Sequence, residues 1–167
     1  MVQLNSVLKA LLSRLTSQQL EDVLHSFGGN IIDRYLTKKN KARKYSMIAF
    51  GVSFDDTLFV MWCDAELGHA EARIMASTDK PIKEMYVFRA TVIDENIVCV
   101  PGNSRPCTMC MNRMLGVETV TFAVRIDDSS DELHSMEYKD AMESSCFSSR
   151  DKRHMLGLKR GNHCEVS

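Results

Sequence analysis

Three potential metal ligands and one further acidic residue stand in two short segments of this chain. The first segment is His69-Ala70-Glu71, and the second is Pro106-Cys107-Thr108-Met109-Cys110. Zinc in a catalytic site commonly takes three protein ligands and leaves a fourth position to water. His69, Cys107 and Cys110 would supply those ligands, and Glu71 would stay available for proton transfer. These residue types therefore predict a hydrolytic zinc site.

The spacing of the second segment favours this interpretation. Cys107 and Cys110 are three residues apart, so on a helix they lie on one face, one turn from each other. Pro106 suits a helix start, because its missing N–H costs nothing in the first turn. The positive end of a helix dipole also lowers the cost of two thiolates. Two thiolates and a neutral imidazole together balance the charge of Zn²⁺. The zinc can then still bring the pKa of bound water to roughly 7.

Glu71 follows His69 by two residues, a spacing that would separate the two side chains in the middle of a helix. At a helix start, both side chains lean beyond the N-terminal end and can reach one point. The opposing interpretation is a structural zinc clip or a redox pair built on Cys-x-x-Cys. A closed clip needs a fourth ligand, and the spare Cys63 and Cys99 stand in apolar runs typical of strands.

Composition limits the class of protein. The chain has 167 residues, enough for one domain with a proper core. It is 44% hydrophobic and 26% charged, with a net charge of −1, so nothing global indicates nucleic acid or an anionic membrane. Six Cys, eleven Met and no signal-peptide pattern in residues 1–10 predict a cytoplasmic or otherwise intracellular protein. No apolar run has the length of a membrane span.

Hydrophobic periodicity predicts the elements that position the two segments. Apolar residues at helical spacing predict one helix from Leu4 to Leu15 and a second from Ser17 to Phe27, ended by Gly28-Gly29. Strands are predicted at 47–54, 57–63, 85–93 and 117–124, with a hairpin turn at Asp55-Asp56. Helices are predicted from His69 to about Ser77 and from Cys107 to Gly116. Both ligand segments then begin helices on one face of one sheet, the expected place for a site.

On these residues, the chain resembles the zinc-dependent cytidine/deoxycytidylate deaminase-like superfamily over about half its length, residues 47–124. The best-matched stretches are Gly68-His69-Ala70-Glu71 and Ser104-Arg105-Pro106-Cys107-Thr108-Met109-Cys110. This H-x-E…P-C-x-x-C signature is shared by zinc deaminases. The resemblance implies Zn²⁺ as cofactor, His69, Cys107 and Cys110 as its ligands, and Glu71 as the proton shuttle. The motif is specific for the superfamily and says little about the substrate.

The resemblance also implies an architecture and a reaction. The expected fold class is α/β, a three-layer α/β/α cytidine deaminase-like fold with a central mixed sheet of about five strands. Residues 1–45 would form N-terminal helices and a basic linker packed on the same domain, residues 46–145 the catalytic core, and residues 146–167 a C-terminal extension. The expected reaction converts the cytosine ring of a free nucleoside or nucleotide to uracil with release of ammonia. Relatives commonly assemble, so a homo-oligomer is expected.

Two other functions stay open, and the fifth strand bears on them. One is a deaminase acting on cytosine or adenine in single-stranded DNA or RNA, including transfer RNA; the other is a non-catalytic zinc-binding interaction module. By resemblance, the fifth strand is antiparallel to the fourth in free cytidine deaminases and parallel in the deoxycytidylate, transfer-RNA and polynucleotide members. The polar segment 127–131 favours a hairpin turn into a strand at 134–139. The alternative is a helix capped by Ser130.

Substrate contacts are expected from four residues near the motifs: Ser53, Ala70, Arg105 and Pro106. Arg105 in particular could meet a substrate phosphate, because a guanidinium pairs well with one.

Two polar segments complete the chain. The basic run 38–44, with Tyr35 and Tyr45 beside it, could bind a nucleic-acid backbone, although a solvated linker is the favoured interpretation. The C-terminal segment holds further potential ligands whose spacing fits no standard zinc clip: Cys146, His154, His163 and Cys164. A surface extension is therefore favoured over a second zinc site.

Overall fold

The computed structural model describes residues 2–35, 45–64, 66–127 and 130–146. The basic run 38–44 and the C-terminal His154, His163 and Cys164 lie outside the described residues. The elements along the chain are α1 Val2–Leu12, α2 Ser17–Tyr35, β1 Ser46–Ser53, β2 Leu58–Trp62, α3 Ala70–Ser77, β3 Ile82–Ile93, β4 Asn96–Cys99, α4 Thr108–Arg113, β5 Thr119–Arg125, β6 Asp131–Glu137 and α5 Tyr138–Glu143. None of the described helices combines the length and the apolar character needed to cross a membrane.

The strands form one mixed sheet in the order β2-β1-β3-β5-β6, with β4 pairing with β3 beside that path. β1 is antiparallel to both β2 and β3, while β5 is parallel to β3 and β6 is antiparallel to β5. β2, β3 and β5 therefore run in the same direction. Their carboxyl ends, together with the beginning of β1, define one border of the sheet, called the carboxyl edge below.

Helices cover both faces of this sheet. On one face, α1 and α2 bury a cluster that includes Leu8, Val23, Phe50, Trp62 and Phe88. On the other face, called the ligand face, α3, α4 and α5 bury a second cluster that includes Ala70, Ile74, Val87, Cys110 and Phe122. Each fully buried large side chain contributes about 1.5–3 kcal/mol to folding. The predicted three-layer α/β/α architecture is confirmed.

The prediction that Gly28-Gly29 ends the second helix is wrong, because α2 continues through both glycines to Tyr35. Glycine weakens a helix interior by about 1 kcal/mol relative to alanine but, unlike proline, does not forbid helical dihedrals. The first half of α2 is also held by tertiary contacts. Trp62 donates its Nε1–H to the carbonyl of Val23 at 2.9 Å, and Phe27 packs against the Trp62 ring with centroids 4.6 Å apart.

Three further differences concern the second half of the chain. The segment after β3, where no strand was predicted, contains β4, joined to β3 by a turn at Asp94 and Glu95, which have φ of 49° and 63°. α4 ends at Arg113 rather than near Gly116, because Gly116 (φ 91°) forms the turn that follows the helix. The favoured hairpin is confirmed, and the helix capped by Ser130 is wrong, since residues 131–137 pair with β5.

Candidate metal centre

His69 is brought to the carboxyl edge by a tight loop that follows β2. Asp64 and Gly68 exchange two backbone hydrogen bonds, of 2.9 and 3.0 Å, and the Asp64 carboxylate accepts the N–H groups of Glu66 and Leu67. Gly68 has a φ of 110°, a backbone conformation that residues other than glycine rarely adopt. The loop therefore ends with His69 as the N-cap of α3, facing the open end of the helix.

Cys107 is the N-cap of α4, so it has the same relation to its helix as His69 has to α3. The segment before it is fixed to the sheet by Ser104, which is 1% exposed. The Ser104 hydroxyl donates to the carbonyl of Val87 and accepts the N–H of Ala123, both at 2.7 Å. Ser104 thus bridges β3 and β5 and holds the start of α4 at the carboxyl edge.

These two helix starts bring three donor atoms together. The distance from His69 Nδ1 to Cys110 Sγ is 3.2 Å, and the distance from His69 Nδ1 to Cys107 Sγ is 3.5 Å. All three donor atoms lie within 4.8 Å of one another. In a tetrahedral zinc site, bond lengths near 2.3 Å for sulfur and 2.0–2.1 Å for nitrogen put the two donors about 3.5 Å apart. The two nitrogen–sulfur distances are therefore close to those of a zinc site.

The group supplies three ligands, and within the described parts of the chain no fourth His, Cys, Asp or Glu joins it. Cys99 packs in the cluster under α1 and α2, on the opposite face of the sheet. Three protein ligands are the number found in an open catalytic zinc site, whereas a closed structural clip has four. His69 and Cys107 are partly exposed, whereas Cys110 is buried, so solvent reaches the group from the side of the two helix starts.

The electrostatics of the group favour a cation. The hydrogen bond with Cys110 holds the pKa of the Cys107 thiol down, to about 5, with a further contribution from His69. A thiolate is the form of cysteine that binds a metal. Its lowered pKa therefore favours the metal-binding form of Cys107 before any metal binds.

Glu71 lies beside the ligands on the first turn of α3. Its Oε2 atom is 3.9 Å from Cys110 Sγ, and its side chain is 5% exposed. Burial raises the pKa of the Glu71 carboxyl above its ordinary value. A buried carboxyl whose pKa is raised, next to a metal site, has the character of a group that accepts and returns a proton.

The four expected substrate contacts fall in different places. Ala70 and Pro106 are buried directly beside His69 and Cys107. Ser53 is at the other end of β1, and its hydroxyl bonds with Asp55 and Thr57 in the β1–β2 hairpin. The structure therefore does not bring Ser53 to the ligand group.

Arg105 adjoins the motif in sequence, and its side chain contacts α5 and β5. Its guanidinium donates to the carbonyl of Ser144 at 2.9 Å and lies over the ring of Phe122, 5.0 Å from the centroid. Those contacts tie the segment before α4 to the end of α5.

Sequence reasoning missed two residues that shape this region, Ser104 and Arg89. Ser104 bonds to two strands through its side chain, and a serine in that role leaves no pattern in a single sequence. Arg89 could have been noticed, because a charged residue interrupts the apolar run of β3.

The comparisons with known proteins add no further residues: no protein-family model matches this chain, and no curated protein matches it either. His69, Cys107 and Cys110 could hold a metal ion, and the donor types are those of zinc.

Proposed function

We propose that this protein is a zinc-dependent hydrolytic deaminase that converts the cytosine ring of a free nucleoside or nucleotide to uracil and releases ammonia. The observation that carries the proposal is the buried Glu71 carboxyl beside three ligands that leave a zinc position open. A structural zinc clip has no need of a buried acid next to its ligands. A hydrolytic deaminase needs one group that moves protons where water attacks.

Bound zinc would lower the pKa of a water molecule in its open position toward 7. Glu71 would accept one proton from that water and deliver it to the ring nitrogen N3. The water oxygen would then bond to C4, and Glu71 would take the second proton from the hydroxyl formed there and pass it to the amine. The C4–N4 bond would break, ammonia would leave, and the C4 carbonyl of uracil would form. Water and cytosine are consumed, and uracil and ammonia are formed, with Glu71 returned to its starting state.

A free nucleoside or nucleotide is the preferred substrate class for two reasons. β6 runs antiparallel to β5, which by the resemblance is the arrangement of the free cytidine deaminases. The net charge of −1 also offers no broad basic surface for a polynucleotide backbone. Both reasons support a small substrate over single-stranded DNA or RNA.

The test is ammonia release by the zinc-loaded protein. The substrates would be cytosine, adenine and guanine, each as base, nucleoside, nucleotide and single-stranded oligonucleotide. Glu71→Gln keeps the size of the side chain and removes its ability to carry a proton. We expect turnover of a free cytosine compound, with kcat lower by about 10²–10⁴-fold in Glu71→Gln.

Zinc content is the control, because Glu71 is not one of the three ligands. The variant should retain about one zinc per chain, measured by atomic emission, while losing activity. Turnover restricted to oligonucleotides would contradict the small-substrate proposal. Zinc binding without ammonia release from any substrate would indicate a non-catalytic zinc module.

A further inference from the structure

Cys146 lies beside the metal ligand Cys107, at the start of α4. Its carbonyl accepts the N–H of Thr108, the residue after Cys107, at 3.0 Å. The hydroxyls of Thr108 and Ser145 share a second hydrogen bond, also of 3.0 Å. Cys146 is an exposed free thiol, and it does not belong to the ligand group found among the described residues. A further thiol therefore stands next to one ligand of the site.

The backbone hydrogen bond limits how far apart Cys107 and Cys146 can be. The nitrogen of Thr108 is about 2.4 Å from the Cα atom of Cys107, and the carbonyl oxygen of Cys146 is about 2.4 Å from its own Cα atom. Since nitrogen and oxygen are 3.0 Å apart, the two Cα atoms are at most about 8 Å apart, and about 6 Å or less when the hydrogen bond is straight. A disulfide joins Cα atoms that are about 4.4–6.8 Å apart. The two cysteines are therefore close enough to be joined by one.

The segment that carries Cys146 is fixed to its surroundings. Arg105 donates to the carbonyl of Ser144 at 2.9 Å, and the Tyr138 hydroxyl at the start of α5 donates to the carbonyl of Met111 in α4 at 2.6 Å. α5 and the residues that follow it are thus bonded along α4. The position of Cys146 beside the ligand therefore follows from the contacts between these two helices.

The segment that leads to Cys107 is fixed as well. Arg89 donates an Nη1–H to the carbonyl of Pro101 at 3.2 Å, and the Oδ2 atom of Asp131 accepts the N–H of Gly102 at 3.0 Å. Both cysteines are thus held in place by the fold. A bond between their sulfur atoms needs at most a small backbone movement.

Cys110 is the competing partner for Cys107, because the ligand atoms of the group lie within 4.8 Å of one another. Cys110 is only 3% exposed, however, and its sulfur lies 3.2 Å from His69 Nδ1 and 3.9 Å from Glu71 Oε2. Thiol–disulfide exchange requires that an oxidant reaches the sulfur atom. An oxidant that arrives from solvent meets the exposed Cys146 before Cys110. Cys146 can also react without leaving the metal position.

We infer that Cys107 and Cys146 form a reversible disulfide, which withdraws Cys107 from the metal and makes the site sensitive to oxidation. The inference rests on the zinc site of the proposed function and adds the regulation of that site. Disulfides in intracellular proteins are usually transient or redox-sensing. A reversible bond therefore suits the compartment that the sequence predicts.

The oxidant is a low-molecular-weight disulfide such as oxidised glutathione. The Cys146 thiolate attacks one of its sulfur atoms, a mixed disulfide forms at Cys146, and one glutathione thiolate leaves. The sulfur of Cys107 then attacks the Cys146 sulfur, the Cys107–Cys146 bond forms, and the second glutathione thiolate leaves. The two cysteine sulfurs give up two electrons in total, and the glutathione disulfide takes them up. The leaving thiolates bind the thiol proton of Cys146 and one proton from solvent, and the metal position keeps two of its three protein ligands.

The experiment treats the zinc-loaded protein with oxidised glutathione and follows zinc release with a chromogenic chelator. We expect the wild-type protein to release about one zinc per chain, and to bind it again after reduction by dithiothreitol. Cys146→Ser keeps the carbonyl that bonds to Thr108 and removes the thiol. This variant should release zinc about tenfold or more slowly than the wild type. Release that is equally fast in Cys146→Ser would overturn the inference.

Two other cysteines serve as matched controls. Cys63 follows β2 and is partly exposed, and Cys164 belongs to the C-terminal segment outside the described residues. Cys63→Ser and Cys164→Ser should each release zinc like the wild type. Protection from oxidation by either of these substitutions, and not by Cys146→Ser, would assign the partner of Cys107 to that other cysteine and overturn the inference. Circular dichroism on each variant verifies that the fold is retained.

Mass spectrometry of tryptic peptides identifies the bond directly. Residues 90–113 form one peptide with Cys107 and Cys110, and residues 140–150 form another with Cys146. A cross-link between these two peptides, placed at Cys107 by fragmentation, supports the inference. A disulfide confined to residues 90–113 overturns it.

Neither readout requires turnover, so the inference and the proposed function can fail separately. A protein that forms the cross-link and loses zinc, but deaminates no substrate, retains the inference and loses the proposed function. A protein that deaminates cytidine and forms no cross-link retains the function and loses the inference. If the purified chain binds no zinc, the proposed function fails, and the peptide map still decides whether Cys107 pairs with Cys146.

Discussion

At the scale of single residues, the same side chain acquires different chemistry from its surroundings. Cys107 starts a helix next to Cys110 and His69, and the hydrogen bond with Cys110 holds its pKa down to about 5. Cys99 stands in a strand under α1, where burial raises the pKa of its thiol to about 12. The sequence assigned these cysteines different roles from their neighbours alone, and the structure gives the physical cause.

This contrast predicts a distinctive pH dependence of alkylation in the zinc-free protein. The folded pKa of Cys107 is below its ordinary value, so the reactive thiolate predominates above about pH 5 and is lost only below it. Its alkylation rate by iodoacetamide should be nearly constant from about pH 6 to about pH 8. Peptide mass spectrometry would follow each cysteine separately, and Cys99 should not react while the protein is folded.

The urea-unfolded protein is the control, because there every thiol titrates near its ordinary pKa of about 8.5. In that state the Cys107 rate should rise about tenfold per pH unit over the same interval. A rise of that size in the folded, zinc-free protein would show that the group does not stabilise a thiolate.

At the scale of secondary-structure elements, the two ligand helices depend on how their first residues are attached to the sheet. α4 is only six residues long, so it has little stability of its own. Ser104 attaches it through two side-chain hydrogen bonds, with Val87 and Ala123, and through a backbone bond from its own N–H to the Ala123 carbonyl. The ligand geometry at Cys107 is therefore a property of the β3–β5 pairing as much as of the helix.

Ser104→Ala should lower both stability and zinc affinity. The substitution leaves the carbonyl of Val87 and the N–H of Ala123 unpaired in the interior, at about 1–3 kcal/mol for each group. We expect a loss of about 2–4 kcal/mol in the free energy of unfolding, measured by urea denaturation. Zinc affinity, measured by chelator competition, should fall because the start of α4 keeps only the backbone bond of residue 104 to Ala123. Ser77→Ala is the matched control: that hydroxyl bonds only within α3, to Ile74, and its loss should cost under about 0.5 kcal/mol.

Much of this arrangement could be predicted from the sequence, and the failures have local causes. The apolar, β-rich runs of β1 and β2, the Asp55-Asp56 turn and the helix starts at His69 and Cys107 could be predicted because each is signalled within a few residues. The β3–β4 turn was missed because Asp94 and Glu95 adopt positive φ without a glycine to signal it. The placement of Ser104 between β3 and β5 was beyond single-sequence reasoning, since it depends on pairing between strands that are distant in the chain.

At the scale of the whole molecule, the sheet separates two helical layers, and only one of them carries metal ligands. The α1–α2 layer contributes burial but none of the three ligands, whereas α3 and α4 carry both burial and ligands. α3 approaches the sheet closely because Gly51 lies beneath it: a Cβ atom there would stand 2.8 Å from the Ile74 side chain. Packing on the ligand face therefore sets the position of His69, while packing on the opposite face does not.

A pair of cavity-forming substitutions tests this separation. Leu8 in α1 and Ile74 in α3 are both 0% exposed, so Leu8→Ala and Ile74→Ala should each lower the free energy of unfolding by about 2–5 kcal/mol. Under conditions where each variant stays folded, destabilisation alone does not alter zinc affinity, because nearly all molecules remain competent to bind. Leu8→Ala should thus bind zinc like the wild type in chelator competition. Ile74→Ala should bind about tenfold more weakly, because α3 can shift toward Gly51 and carry His69 with it.

Equal zinc affinities in two equally destabilised variants would mean that the sheet and the loop after β2, rather than the packing of α3, position the ligand.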